Sequence, residues 1–413
     1  MNKVKLGDIL QIKHGYAFKG ENFSDKGDFI LLTPANFYET GGFKYTPGKE
    51  KYYVGEFPQE YLCKKGDLIV AMTQQSEGLL GSTAIIPEDN TYLHNQRIGL
   101  ITVDETKADK KFVNYLFRTK NVRFQIEGSS SGTKVKHTSP DKIYDVDVWL
   151  PDLENQRKIG EFLSIIDETI RKNNDINHEL EEIAQIIYNY WFVQFEFPNE
   201  EGMPYKSSGG EMAWNDELKR YIPKDWDCVF LKDKLIFERG IEPGSKNYKR
   251  KKVSDDYIKF YRVSDIDNEC DTYIDKKIAN EKLVSKEDVL VSFDGTVGKI
   301  GIGLSGAYST GIRKVYSINN EFSNALIYFL FKDSSIQQTI KSYATGSNIL
   351  HAGASIEHLK IAFNKKIYSE FERKVLLVFQ QILLNKEQNE ELVCFRNFLF
   401  PMLMNGQVTL NEE

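Results

Sequence analysis

The chain has 413 residues, of which 41% are hydrophobic and 13% aromatic. That length is ample for two or three domains with real cores, and the many Tyr and Phe suit β-rich ones. A net charge of −6 argues against a chain that grips phosphates over its whole surface, but leaves room for basic residues gathered on one face or supplied by partner subunits.

Read in chain order, the second half echoes the first. Each half opens with a short strand pattern and a loop. Leu31-Leu32-Thr33-Pro34-Ala35-Asn36 corresponds to Phe260-Tyr261-Arg262-Val263-Ser264-Asp265. Lys65-Gly66-Asp67-Leu68-Ile69-Val70-Ala71 corresponds to Lys286-Glu287-Asp288-Val289-Leu290-Val291-Ser292, a turn leading into a buried strand. Next, Phe112–Phe117 corresponds to Leu326–Phe331 as a short apolar helix, and the polar loop Gly132–His137 to Gly346–His351, with a His at the same place.

Each half then closes on a long helical pattern. Ile159, Phe162, Leu163, Ile166, Ile170, Leu180, Ile183 and Ile187 keep three- and four-residue steps, as do Val375, Phe379, Ile382, Leu392, Phe395 and Leu399. These are narrow apolar stripes on charged helices, the seam of a helix pair. Polar residues interrupt both stripes, around Asn173-Asn174 and Asn385-Lys386, where a buried polar position can fix register. The first helix, roughly 154–192, is too long to bury its stripe within one domain and needs the second helix, antiparallel, as partner. Between the halves, residues 196–225 carry Pro198, Gly202, Pro204, Ser207-Ser208-Gly209-Gly210 and Pro223, which break regular structure. Met203, Trp214 and Trp226 are the expected anchors of this connector. The aromatics near the helix ends (Tyr188, Tyr190, Trp191, Phe192, Phe398, Phe400) either dock a partner or cap the cores, with at least half expected in the core.

Catalytic motifs are missing. Gly295-Thr296-Val297-Gly298-Lys299-Ile300 has the wrong spacing for a phosphate-binding loop. No His-Glu-x-x-His and no adenine-methyltransferase tetrad occurs. A nuclease-like set drawn from Glu88 or Asp89 with Asp109 and Lys111 is of a kind that arises by chance. His94 and His358 read as ordinary surface or half-buried residues. The four cysteines (Cys63, Cys228, Cys270, Cys394) lack metal or disulfide spacing, which fits a reducing cytoplasm. The start, Met1–Lys5, leads into no long apolar run. No metal and no cofactor is expected on this chain.

Three segments carry a resemblance. Tyr190-Trp191-Phe192-Val193-Gln194-Phe195-Glu196, then Met203–Glu211 and Ile222-Pro223-Lys224-Asp225-Trp226, closely resemble the central region of Type I restriction-modification specificity subunits. The junction Leu150–Ile159 and the ending Leu399–Val408 look like the same family; the second junction, Ser369–Lys374, lacks the Pro and Gln of the first. The resemblance implies an α/β (α+β) protein: two pseudo-repeated mixed target-recognition domains joined by two long antiparallel helices, a coiled coil. The expected division is 1–152, first recognition domain; 153–195, central helix; 196–226, connector; 227–366, second recognition domain; 367–413, C-terminal helix. The family implies that each recognition domain reads one half of a split double-stranded DNA site and that the helices set the spacer. It further implies that two methyltransferase subunits dock there, bind S-adenosylmethionine and methylate an adenine in each half-site, and that motor-nuclease subunits join them. The specificity chain itself is then not an enzyme. The alternatives are a nuclease or methyltransferase with an unrecognised site, or a specificity factor of another phage-defence methyltransferase.

Base reading needs hydrogen-bonding side chains on loops, with cations on phosphates. In the first half the candidates are Gln74, Gln75 and Ser76 after a strand, then Gln96 and Arg97, then Thr133, Lys134, Lys136 and His137, with Tyr16 and Lys19 beside them. In the second half the expected counterparts are Asp294, Thr296 and Lys299, then Arg313, then Ser347, Asn348 and His351. Lys246, Lys249, Arg250, Lys251 and Lys252 around Tyr248 form the candidate phosphate clamp. A solvated turn is the competing reading of each loop.

Overall fold

The computed structural model describes residues 1–46, 48–74, 78–132, 135–347 and 349–410, in two compact units: 1–170 with 391–413, and 171–390. In the first unit, β1 (Leu10–His14), β2 (Leu68–Ala71), β3 (Thr83–Ile85) and β4 (Ile98–Val103) form an antiparallel sheet in the order β1-β4-β2-β3. All four residues of β2 are buried, so the sheet is covered on both faces. Leu68 and Val70 point into a core with Ile12, Ile101, Phe112 and Ile126. Ile69 and Ala71, one step along, point into a second core with Leu32, Phe37 and Ala84, as the two-residue period of a strand requires. Helix α1 (Lys110–Leu116) starts where Asp109 accepts from the Phe112 N–H at 2.8 Å, an N-cap. Helices α2 (Lys120–Gly128) and α3 (Pro140–Tyr144) follow, then α4 (Leu153–Tyr188), whose residues to Ile170 belong to this unit.

The second unit repeats the plan. β5 (Leu235–Arg239), β6 (Val289–Ser292), β7 (Ile300–Gly301) and β8 (Ile312–Ser317) pair in the same order, β5-β8-β6-β7, again with a fully buried central strand. Helices α5 (Asn324–Phe331), α6 (Ser334–Ser342) and α7 (Lys365–Met404) complete it, α7 passing back to the first unit at Glu391. The correspondence extends to small motifs. Asn36 accepts from the Thr33 N–H (2.8 Å) as Asp265 accepts from the Arg262 N–H (2.9 Å).

Helices α4 and α7, with 36 and 40 residues, are about 54 and 60 Å long at 1.5 Å per residue. Within the second unit they pair through amides. Asn385 donates to Asn177 (2.8 Å), and Asn173 donates to Gln388 (2.8 Å) and Asn389 (2.9 Å). Rising numbers on α4 meet falling numbers on α7, so the helices are antiparallel there, with the polar interruptions of both stripes facing one another. Two stripe residues do not sit in the seam. Ile183 is 52% exposed, its place taken by the buried Ala184, and Phe395 is 49% exposed, touching Phe162 only by a ring edge.

The first long helix also ends differently: a π-helical turn, Asn189–Val193, follows Tyr188. That turn places Trp191 and Phe192 in the core with Tyr188. Phe400 packs beside the first unit's core, whereas Tyr190 and Phe398 are exposed. The connector is more regular than its Pro and Gly content suggests. It folds as a hairpin, Met212–Asn215 with Arg220–Pro223, and is held by Trp226 against Phe195 and Phe197. Of its expected anchors only Trp226 is buried; Met203 and Trp214 face solvent.

Candidate nucleic-acid interface

In each unit the loops that follow the sheet strands meet on one edge, and the backbone bonding there is the same in both. In the first unit the Tyr16 N–H donates to the His94 carbonyl (2.9 Å), and the Gln96 N–H to the Tyr16 carbonyl (3.0 Å). In the second, the Ile241 N–H donates to the Tyr308 carbonyl (2.9 Å), and the Thr310 N–H to the Ile241 carbonyl (3.0 Å). Gly15 and Gly240 permit this crossing, because a Cβ on either would lie 2.1–2.2 Å from a carbonyl oxygen or carbon of the facing loop. A second loop closes on the same edge. Ser131 and His137 exchange backbone bonds, as do Thr345 and His351. Gly132 (φ +98°) and Gly346 (φ +110°) make both turns, in a conformation that L side chains rarely adopt. The loop then docks on the end of the central strand: His137 opposite Thr73 in one unit, His351 opposite Asp294 in the other.

The scaffold thus brings Tyr16, Asn95–Arg97, Thr73, Lys136 and His137 together in the first unit, and Asp294, Thr310, Arg313 and His351 in the second. Gln96, Arg97, His137, His351, Thr296, Ser347 and Lys19 are exposed. Gln75, Ser76, Thr133, Lys134 and Asn348 lie outside the described residues.

Two candidates are engaged elsewhere. Gln74 is 5% exposed and accepts from the Leu80 N–H at 2.7 Å, so it staples its own loop and does not present a free amide. Lys299 is paired with Asp267 at 2.7 Å, which neutralises it as a phosphate contact. The register also corrects one correspondence. Arg313 is not the counterpart of Arg97; that place is taken by Gly311, since both Arg97 and Gly311 accept from the residue after the central strand, Met72 and Phe293. Arg313 instead matches Gly99, each lying across from the last residue of the sheet's edge strand, Arg239 or His14.

Arg313 donates through Nη1 to the Thr310 carbonyl (2.6 Å) and lies 6.0 Å from the Phe293 ring. Its burial, and then the Arg239 charge beside it, lower its pKa. Arg239 is exposed and donates through Nε to the same Thr310 carbonyl (3.3 Å). His351 donates from Nδ1 to Asp294 at 2.7 Å. Arg239 and His14 were not among the sequence candidates. The available signal was strand register, which sets residue 239 beside 313 and residue 14 beside 99.

Lys246, Lys249, Arg250 and Lys251 are exposed and form no ion pair among the described residues, whereas Lys252 is bonded to Asp255 (2.8 Å). Tyr248 in their midst stacks on Phe260 at 5.5 Å and donates to Glu242 at 2.9 Å. Burial and that carboxylate push its pKa up to about 12. The ring fixes the base of the segment while the cations extend from it.

The nuclease-like set does not converge on a metal site. Asp89 accepts from the Lys65 N–H (2.8 Å), Asp109 caps α1, and Lys111 pairs with Glu161. Among the described residues no cluster of His, Cys, Asp or Glu has metal-site geometry, and no helix is long and apolar enough to cross a membrane. His94, expected at the surface or half-buried, is 1% exposed; its Nε2 donates to the Ile98 carbonyl (2.9 Å), and burial lowers its pKa to about 4. His358 stacks on Tyr343 at 3.9 Å.

Comparison with known proteins agrees with this architecture. Residues 1–182 match the family model for the Type I restriction modification DNA specificity domain. The Type I restriction enzyme EcoBI specificity subunit of Escherichia coli is 25% identical, covering 98% of this chain and 86% of that protein. The HindI specificity subunit of Haemophilus influenzae is 23% identical, covering 98% and 99%. A crystal structure of the Type-I restriction-modification system S subunit from M. genitalium superposes with a TM-score of 0.57 at 15% identity, covering 100% of this chain and 96% of that one; at that identity the likeness speaks for the fold. Residues 1–182 thus match the Type I restriction modification DNA specificity domain, and over 98% of its length the chain is similar to Type I restriction enzyme specificity subunits.

Proposed function

We propose that each unit reads one half of a bipartite double-stranded DNA site through the edge described above. One observation carries this reading: the two edges share their backbone bonds but differ in side chains, Tyr16, Thr73 and Arg97 standing where Ile241, Asp294 and Gly311 stand. A constant frame with exchangeable hydrogen-bonding groups is what two different half-sites require, because sequence is read by side chains on base edges. The exposed cations at 246–251 serve the phosphates of one half.

In this reading α4 and α7 set the spacer between half-sites, and their exposed apolar residues receive two methyltransferase subunits, which carry S-adenosylmethionine and methylate adenine. Motor-nuclease subunits join that assembly in the cytoplasm. The chain binds no cofactor and performs no chemistry itself. The experiment is a genome-wide map of methyladenine with and without the gene. Loss of methylation at one split motif supports the reading; an unchanged map, with the partner methyltransferase expressed, refutes it.

A further inference from the structure

The edge of the second unit differs from that of the first in one chemical respect: it holds two guanidinium groups on one acceptor. Arg239 ends β5 and Arg313 lies directly across from it on β8. Both donate to the Thr310 carbonyl, at 3.3 and 2.6 Å. Like charges so close repel, and nothing relieves Arg239, which forms no ion pair among the described residues. The carboxylate nearby, Asp294, is bonded through Oδ1 to His351. A guanidinium has five N–H donors in a fixed fork, so most of the donors of this pair remain open, and Arg239 is exposed.

The first unit cannot copy this. At the position of Arg313 it has Gly99, where a Cβ would lie 2.6 Å from Ile12 and 2.9 Å from Val70, and at that of Arg239 it has His14. Its arginine, Arg97, stands two residues earlier on the loop. At the matching Gly311 a Cβ would meet Val263 at 3.0 Å and Asp294 at 3.4 Å. Packing thus places the arginine at a different point on each edge.

We infer that Arg239 and Arg313, with Asp294 beside them, are the specificity-determining residues of the second unit and select a G·C base pair in its half-site. Guanine offers O6 and N7 as paired acceptors to an arginine fork, and its cytosine offers an N4 donor that a carboxylate accepts. A phosphate, which only accepts, would be repelled by Asp294. The orientation also matters: the Thr310 carbonyl tethers one N–H of each guanidinium, which leaves the remaining donors of the two forks side by side.

The inference rests on the proposed DNA-reading role, and the test separates the two. The full chain, assembled with its methyltransferase partners, is titrated with duplexes carrying the methylated motif and with duplexes in which each base pair is replaced in turn. Wild type is expected to lose roughly tenfold or more in affinity when one G·C pair of one half-site is replaced. Arg239→Ala and Arg239→Lys should both reduce that loss to below about threefold while discrimination in the other half-site stays as in wild type; Arg97→Ala should do the opposite. The Lys variant keeps the charge and guards against a folding artefact. Equal weakening on every duplex with a shallower salt dependence would make Arg239 a phosphate contact and overturn the inference, as would unchanged discrimination in both Arg239 variants. Absence of any sequence preference in wild type would instead defeat the DNA-reading role itself.

Discussion

His137 and His351 close the same loop onto the same strand end, yet one lies opposite Thr73 and the other opposite Asp294, to which its ring is bonded. Around them the frames share the same strand order, the same pair of crossing loops and a glycine at each point where a Cβ would strike a carbonyl. The lesson is a division of labour between backbone and side chain. Backbone bonds and buried aliphatics fix where the edge is; the residues standing on it differ between the units, within the room that packing leaves at each position. The comparison can be broken wherever the two units answer one perturbation differently.

Acid is the strongest such perturbation. His94 in the first unit and Tyr308 in the second take the same place in the loop, and both are buried. Burial holds the His94 pKa near 4, below the ordinary value of 6.5. The unfolded chain therefore binds this proton more readily, and the stability of the first unit, full above pH 6.5, falls as pH drops towards 4. The loss is about 3 kcal/mol at its limit. Tyr308 has no proton to take up in that range; its hydroxyl donates to Glu238 at 2.9 Å. Hydrogen exchange followed from pH 7 to 4.5 should show the first unit's core losing protection ahead of the second's, and His94→Gln should abolish the difference. Parallel loss in both units would show that His94 does not govern the acid response.

A smaller contrast lies where the long helices meet the units. In the first, Asp167 on α4 binds Arg118 (2.9 Å), Arg396 of α7 (2.6 Å) and the Tyr115 hydroxyl (2.8 Å). Burial would raise this carboxyl, but the two arginines outweigh it and hold the pKa below the usual value. In the second, Glu181 forms its ion pair with Lys332, is bonded to the Tyr328 hydroxyl, and also acts on the more distant charge of Lys386. Asp167→Asn leaves two half-buried guanidinium groups without their partner and should cost the first unit about 2 kcal/mol, less than a fully buried pair because part of the site sees water. Glu181→Gln should cost the second unit about 1 kcal/mol. Urea unfolding monitored by proteolysis of each unit measures both. Equal losses would mean that two directly paired arginines hold their carboxylate no more strongly than one paired lysine does.

The sequence was most readable where burial imposes a period. The paired strands Leu68–Ala71 and Val289–Ser292, the Gly–His loops and the two helical stripes all stand out because apolar residues or glycines are obligatory there. Ile183 and Phe395 misled because three- and four-residue steps can be drawn through exposed positions as well as buried ones, and Ala184, small and easily overlooked, is the residue that packs. The hairpin at 212–223 was hidden because Gly209, Gly210 and Pro223 border its strands, while its own turn, Asp216–Lys219, carries neither Pro nor Gly. At the edge, residue types alone could not say which side chains are free: Gln74 and Gln96 look alike in sequence, but one is held by the Leu80 N–H. Nor could they reveal Arg239, whose neighbour Arg313 lies far along the chain and is brought to it only by strand pairing.

The gentlest perturbation concerns charge that only one unit carries. After β1, residues 15–28 mix Lys19 and Lys26 with Glu21, Asp25 and Asp28, whereas after β5 residues 246–252 are basic at five positions. Lys249, Arg250 and Lys251 are exposed and unpaired among the described residues, so replacing all three with Ala should change stability by no more than about 0.5 kcal/mol per site. If all three contact phosphates, the slope of log affinity against log salt should become shallower by about two to three, with the preference for each base unchanged in both half-sites. The matching change in the first unit, Lys19→Ala with Lys26→Ala, should move the slope by less, because it removes two cations instead of three from a segment that also carries Glu21, Asp25 and Asp28. A triple variant with an unaltered slope would leave the segment a solvated loop. A changed base preference would move it from the phosphates to the reading edge, and the two units would then differ in how they read as well as in how tightly they hold.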